Sequence, residues 1–445
     1  MRAAPADPRS LERGVRQLLA DKVSGNLLGL WLLIPEYLRL GAWGLLTQWA
    51  GQSGNEAGPR LALQLVNEAA LCVAGVRQQR CLSQKGFELA QGLPFVGSDQ
   101  AVHELLQRHT IAQAQALQVQ LGMIRRARGH FQGKLLAIDP HRMPSYSQRQ
   151  MIRFRDNERE KPYKVSPTFF ALDADTCQPL CFTSAVSAQS VAQATPELLL
   201  LSAAILNPRD SRPLVLADTE HYSQALFEHV RTQTPFDLLA PMPRSASLRA
   251  RLQALSPEAF QRAWVGYATT VQEFHFQNSS PTYYQYVQRD GERLGDYDYR
   301  AFLGTAQREE VEDLAQNFPQ RWHIEEFFNT YQALGWKRAG TLNLNIRYGH
   351  MSMALVAQAA IHEFRNRVGR PYAAWDSKHL ANALFNGLNG DLRVQDDTIL
   401  VTFYNPPNVE LLRANYQNLP ARLAQGNIDP RIPWLYNFKL DFRFC

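Results

Sequence analysis

Cysteine is scarce and unpaired in this chain: Cys72, Cys81, Cys177, Cys181 and Cys445 are five residues scattered over 445 positions. An odd, dispersed set, with no apolar leader in residues 1–10, offers no disulfide framework, so reduced thiols are expected. Cys177 and Cys181 come nearest to a metal-binding pair, yet no second Cys or His pair follows at finger spacing, and no zinc site is expected from them. Long apolar runs are missing too. The longest, residues 27–34, is stopped by Pro35 and followed by Glu36 and Arg39, too short to cross a bilayer. Ser145, Ser147 and Ser223 lack the His and acid neighbours of a hydrolase triad. These absences leave a cytoplasmic protein without membrane contact as the expectation.

What is present fits an ordinary globular chain, with 45% apolar and 20% charged residues and enough length for two or three domains. The net charge of +6 is unevenly spread. Residues 121–164 hold eleven Lys and Arg against four Asp and Glu, which makes a basic strip suited to a phosphate backbone. Residues 1–130 carry helical spacing, broken by Gly and Pro at 51–59 and 92–94, and read as a helical N-terminal domain, either a plain scaffold or one that places a helix in a DNA groove. From Phe131 the period changes. Short apolar strands are expected at 135–139, 168–172, 179–184, 214–218 and 236–241, with helices at 197–206 and 223–232 between them. That order (strand, hairpin, helix, strand, helix, strand) is the element order of an α/β ribonuclease H-like core, a mixed sheet with helices.

Asp139 and Asp218 each follow an apolar strand, and Glu325 stands one helical turn after Arg321 in Arg321-Trp322-His323-Ile324-Glu325-Glu326-Phe327-Phe328. Hard oxygen donors of this kind, converging on paired divalent ions, suit phosphoryl transfer. Arg321, Glu325 and Gln332 fall near one face of a continuous helix, and Glu326, about 100° further round, faces solvent or a basic neighbour. His141 and His221 sit close to acids as supporting residues. Trp322 reads as a core residue.

The order strand-Asp, strand-Asp, helix-Glu resembles the catalytic triad of DDE transposases, specifically the bacterial insertion-sequence branch with a β insertion before the final Glu. The branch's helix signature runs tyrosine, two spacers, arginine, three spacers, glutamate, six spacers, lysine. Here it meets Phe318, Arg321, Glu325 and Gln332: arginine and glutamate match, another aromatic replaces the tyrosine, and a neutral amide replaces the lysine. Residues 136–142 and 216–223 look like the first two blocks of the family, and the resemblance spans about residues 131–340.

The resemblance implies a catalytic and metal-binding set of Asp139, Asp218 and Glu325 with two Mg²⁺, Mn²⁺ substituting. It further implies DNA contacts by Arg321, Phe318, Gln332 and Arg142, with Lys337 or Arg338 replacing the missing lysine. Double-stranded DNA at element ends and target, with end recognition or pairing by residues 1–130, and a homodimer on paired ends in the nucleoid follow as expected partners. Residues 244–305 read as the β-rich insertion, whose Tyr283, Tyr284, Tyr286, Arg289, Arg293, Tyr297, Tyr299 and Arg300 either stack on unpaired bases or pack across strands. Residues 341–445 read as a C-terminal region of helices and a hairpin turning at Asp396-Asp397. A catalytically inactive DNA-binding descendant, and a nuclease that cuts without joining, are the alternatives.

Overall fold

Strands β1 (Leu135–Pro144) and β4 (Leu214–Leu216) begin with apolar residues that are buried one after another, as a strand covered on both faces requires. They belong to a mixed α/β fold in the computed structural model, which describes residues 8–51, 57–73, 82, 84–151, 153–155, 161–184, 189–277, 279–293, 296–337 and 341–445. Cys81, Arg159 and Arg338 lie outside the described residues. The chain divides into two compact units, one drawn from residues 125–143 and 150–328 and the other from residues 1–124, 144–149 and 329–445. None of the described helices is long and apolar enough to cross a membrane.

In the unit of residues 125–143 and 150–328, β1 is followed by β2 (Tyr163–Asp173), β3 (Gln178–Ser184), α1 (Val191–Leu206), β4, α2 (Gln224–Gln233) and β5 (Asp237–Pro241). The strands lie in the order β3-β2-β1-β4-β5. β1 runs parallel to β4, with Leu135 opposite Leu214 and Ala137 opposite Leu216, and β4 runs parallel to β5. β2 and β3 form an antiparallel hairpin. Its turn is fixed by Asp173, which accepts from the backbone N–H and hydroxyl of Thr176 at 3.0 and 2.9 Å and from the N–H of Gly133 at 2.7 Å. The helix α1 starts on a capping box in which Ser190 and Gln193 satisfy each other's backbone N–H groups.

The chain then gives α3 (Ala246–Gln253) and four strands, β6 (Gln261–Trp264), β7 (Tyr267–Phe274), β8 (Tyr283–Asp290) and β9 (Asp298–Gly304). β9 pairs antiparallel with β5, so these strands prolong the same sheet instead of forming a separate layer. Packing accounts for several of the aromatic residues that the sequence offered for base stacking. Tyr283 and Tyr286 are buried, the Tyr286 hydroxyl donates to the Ala306 carbonyl at 2.8 Å, and the Arg289 guanidinium is sandwiched 4.3 Å from Phe260 and 4.6 Å from Tyr297. Arg125, counted in the basic strip, is likewise internal: it is fully buried and donates to the Pro179 carbonyl at 2.7 Å and Gln178 at 2.9 Å.

The continuous helix expected across Arg321 and Gln332 is divided. A π-helical stretch, Glu312–Asn317, leads into a 3₁₀ turn, Phe318–Trp322, with proline in its first positions, and only then does α4 (His323–Tyr331) begin. Gln332 opens a further 3₁₀ turn, Gln332–Leu334, so the regular spacing that put it on the face of Arg321 does not hold. Ile324, Phe327 and Phe328 are the buried face of α4, at the i, i+3, i+4 spacing of an amphipathic helix.

In the other unit the first and last parts of the chain, read separately from the sequence, fold together. The helix Leu344–Val368 packs against the helix Ala57–Ala70, and the strand Val23–Gly25 pairs with Gly390–Gln395. The latter forms a hairpin with Thr398–Phe403 through Asp396, whose φ of 53° is the left-handed value such a two-residue turn needs. Glu36 is fully buried there. Arg367 meets it through two nitrogens at 3.0 and 3.2 Å and the Tyr416 hydroxyl at 2.7 Å, which meets the requirement that a buried charge be paired.

Candidate active site

Parallel register brings two of the acids level with each other. Asp139 stands two residues beyond Ala137, and Asp218 two residues beyond Leu216, the last pair joined between β1 and β4. β1 does not end at its acid as the apolar run suggested; it continues through Asp139 to Pro144. Asp218 leaves the sheet and caps a 3₁₀ turn, Thr219–His221, by accepting from the N–H of Glu220 at 3.0 Å.

Arg321 ties the third acid in. One guanidinium nitrogen, Nη1, lies 3.4 Å from Asp139 Oδ1, and the other, Nη2, lies 3.3 Å from Glu325 Oε1. Both contacts exceed the roughly 2.8 Å of a tight charge-assisted hydrogen bond, so the guanidinium spans the acids without clamping either. Among the described residues, Asp139, Asp218 and Glu325 are not a group whose oxygens all lie within 4.8 Å of one another; the one group that close is Cys177, His323 and Glu326. Glu326 is exposed, as expected, and lies beside Cys177 of the β2–β3 turn.

Their surroundings push the two aspartates in opposite directions. Burial pushes Asp139 up to about 7, and the neighbouring charges of Asp218 and Glu325 add to it against the opposing pull of Arg321 and Arg142. Asp218 is pushed up by burial as well, but the hydrogen bond and charge of His221, together with Arg321 and the Glu220 N–H, outweigh this and hold it below the usual carboxylate range. His221 is buried, and its Nδ1 lies 2.6 Å from Asp218 Oδ1, a distance at which the ring N–H donates to the carboxylate.

The other residues singled out in the sequence are placed as follows. Arg142 forms an ion pair with Glu220, with its guanidinium 4.1 Å from the Phe154 ring centroid, so a phosphate there competes with an existing partner. Phe318 packs edge-on against Phe302, centroids 4.7 Å apart. His141 stacks on Phe328 at 4.1 Å. Trp322 is not in the core as expected; it is 59% exposed, 5.4 Å from the Arg321 guanidinium. Gln332 and Lys337 belong to the other compact unit, and Arg338 is outside the described residues.

Loss of the His221 contact has a calculable consequence. His221→Ala should lower stability by about 2 kcal/mol, the usual worth of a hydrogen bond to a charged group, as read from urea unfolding at pH 7. Asp218 has a depressed folded pKa, so its contribution is present above the ordinary value and is lost as pH falls through the lower one. The penalty of the variant should therefore shrink in strong acid. An unchanged difference there would mean that His221 acts by packing alone.

No family model matches the chain, and no curated protein matches it. Among solved structures, it is similar to a piggyBac transposase synaptic complex with hairpin DNA, at 12% identity and a TM-score of 0.42, covering 82% of each chain. The site itself offers oxygen donors from two neighbouring strands and one helix, a guanidinium between two of them, and an exposed indole at the rim. Such a donor set suits hard divalent cations and the phosphate esters they activate.

Proposed function

We propose that this chain is a DDE transposase that cuts DNA at element ends and joins the freed 3′ ends to target DNA. The observation that carries the reading is the meeting of Asp139 and Glu325 at Arg321, with Asp218 level with Asp139 on the adjacent parallel strand. A ribonuclease H-like core is supported by the strand order β3-β2-β1-β4-β5 with β1, β4 and β5 parallel. The insertion-sequence branch is favoured by the Arg321–Glu325 spacing and by the strands that intervene before α4.

Mg²⁺ fits the donors present. All three are carboxylates, and Asp139, pushed up mainly by burial and further by the charges of Asp218 and Glu325, would be relieved by a cation. Asp139, Asp218 and Glu325 would hold the ions, which when bound supply an activated attacking oxygen and a stabilised leaving oxygen. The chain's own work is positioning and charge balance. Asp218 is kept ionised by His221, ready to bind without first losing a proton. Arg321 is free to shift its weak contacts from the acids to a phosphate oxygen, and Trp322 can stack on a base displaced at the cut end. No residue bonds covalently to DNA in this scheme, and two copies of the chain on paired ends would complete the reaction in the nucleoid.

The test uses duplexes carrying the DNA that flanks the coding sequence, a supercoiled target plasmid, and Mg²⁺ or Mn²⁺. Joined products are expected. Nicks alone would favour a nuclease on the same core, and binding without chemistry an inactive descendant, which the neutral Gln332 in place of lysine would suit.

A further inference from the structure

At the first turn of α4, three different donor types meet. The thiol of Cys177, an imidazole nitrogen of His323 and a carboxylate oxygen of Glu326 all lie within 4.8 Å of one another. His323 and Glu326 are one helical turn apart in the first turn of α4, and Cys177 comes from the β2–β3 turn, where it adopts a left-handed φ of 56°. Tetrahedral zinc with thiolate, imidazole and carboxylate ligands sets its donors roughly 3.5 Å apart, so rotation about a few side-chain bonds closes the observed spacing.

A further observation distinguishes this cluster from a chance meeting of polar groups. His323 Nδ1 lies 2.7 Å from the Ala174 carbonyl, which can only accept, so Nδ1 carries the proton and Nε2 keeps its lone pair. This is the arrangement by which a metal-ligating histidine is oriented from behind. In the same turn, Oδ2 of Asp175 is buried without a hydrogen-bond partner.

We propose that Cys177, His323 and Glu326 bind one Zn²⁺, with a fourth position open to water, and that the ion pins the β2–β3 turn to the start of α4. Sulfur, nitrogen and oxygen together select zinc or a similar borderline cation over magnesium, which takes oxygen alone. The site shares no donor with Asp139, Asp218 or Glu325. Cys181, the other cysteine of the local sequence pair, takes no part: it is fully buried with its Sγ 3.4 Å from Ser202 Oγ.

The full chain titrated with Co²⁺ as a spectroscopic probe should give a thiolate-to-cobalt charge-transfer band that saturates at one equivalent and is displaced by Zn²⁺. Cys177→Ser and His323→Ala should each weaken binding tenfold or more, whereas Cys181→Ala and Glu325→Gln should leave it intact. Alkylation of the unaltered protein, mapped by peptide mass spectrometry, guards against variants that fail to fold: Zn²⁺ should slow modification of Cys177 while leaving the exposed Cys445 reactive. Absence of the band, or equal alkylation of Cys177 with and without zinc, would overturn the proposal. So would a band that survives Cys177→Ser or disappears with Glu325→Gln.

Discussion

Asp218→Asn is expected to lower the rate of Mg²⁺-dependent strand cleavage by about 10³-fold or more while leaving duplex binding unchanged. A carboxylate that holds a catalytic ion contributes several kcal/mol to the transition state, and each 1.36 kcal/mol is a factor of ten in rate. The substitution is chosen because the asparagine carbonyl can still accept from the His221 ring N–H, now 2.6 Å from Asp218 Oδ1, and from the Glu220 N–H. Fold and loop geometry should therefore survive, and the loss can be assigned to the missing charge. Gel-based cleavage of a labelled duplex and a binding isotherm on the same DNA measure the two quantities separately. Cleavage within tenfold of the unaltered chain would remove Asp218 from the proposed site, and with it the argument from parallel register.

The parts of this site that could be read from the sequence are those set by short-range rules. Apolar runs before Asp139 and Asp218 predict adjacent buried strands, and the four-residue step from Arg321 to Glu325 predicts the contact seen at 3.3 Å. What escaped depends on neighbours distant in sequence or on backbone irregularity. Nothing local reveals that the β1 strand runs on past Asp139, nor that a proline-led 3₁₀ turn precedes α4 and leaves Trp322 on the surface. Arg125 looked like part of a phosphate-binding strip because its buried acceptors, Gln178 and the Pro179 carbonyl, lie more than fifty residues away. The Cys177 cluster was missed for the same reason. A search for paired cysteines looks a few positions along the chain, whereas His323 and Glu326 arrive from the far side of a strand insertion.

Asp139→Asn should stabilise the protein above pH 7 in the absence of divalent ions, by on the order of 2 to 4 kcal/mol. The sign follows from its raised folded pKa of about 7 against an ordinary 3.8. Between those values the folded chain holds a proton that the unfolded chain has released. The stabilising contribution of the acid is thus fully present below about 4 and is lost as pH rises through about 7, where the carboxylate stands charged in a buried place beside Asp218 and Glu325. Asparagine carries no such charge, so its advantage should be absent at pH 4, grow through pH 6 and level off by pH 8. Thermal unfolding would register a gain of roughly 5 to 10 °C at pH 8 for a unit of this size. Magnesium should reverse the order, because bound cation stabilises the unaltered site and protons compete with it below pH 7. A pH-independent difference between the two proteins, or equal stabilisation of both by Mg²⁺, would mean that Asp139 neither feels its acidic neighbours nor binds the ion.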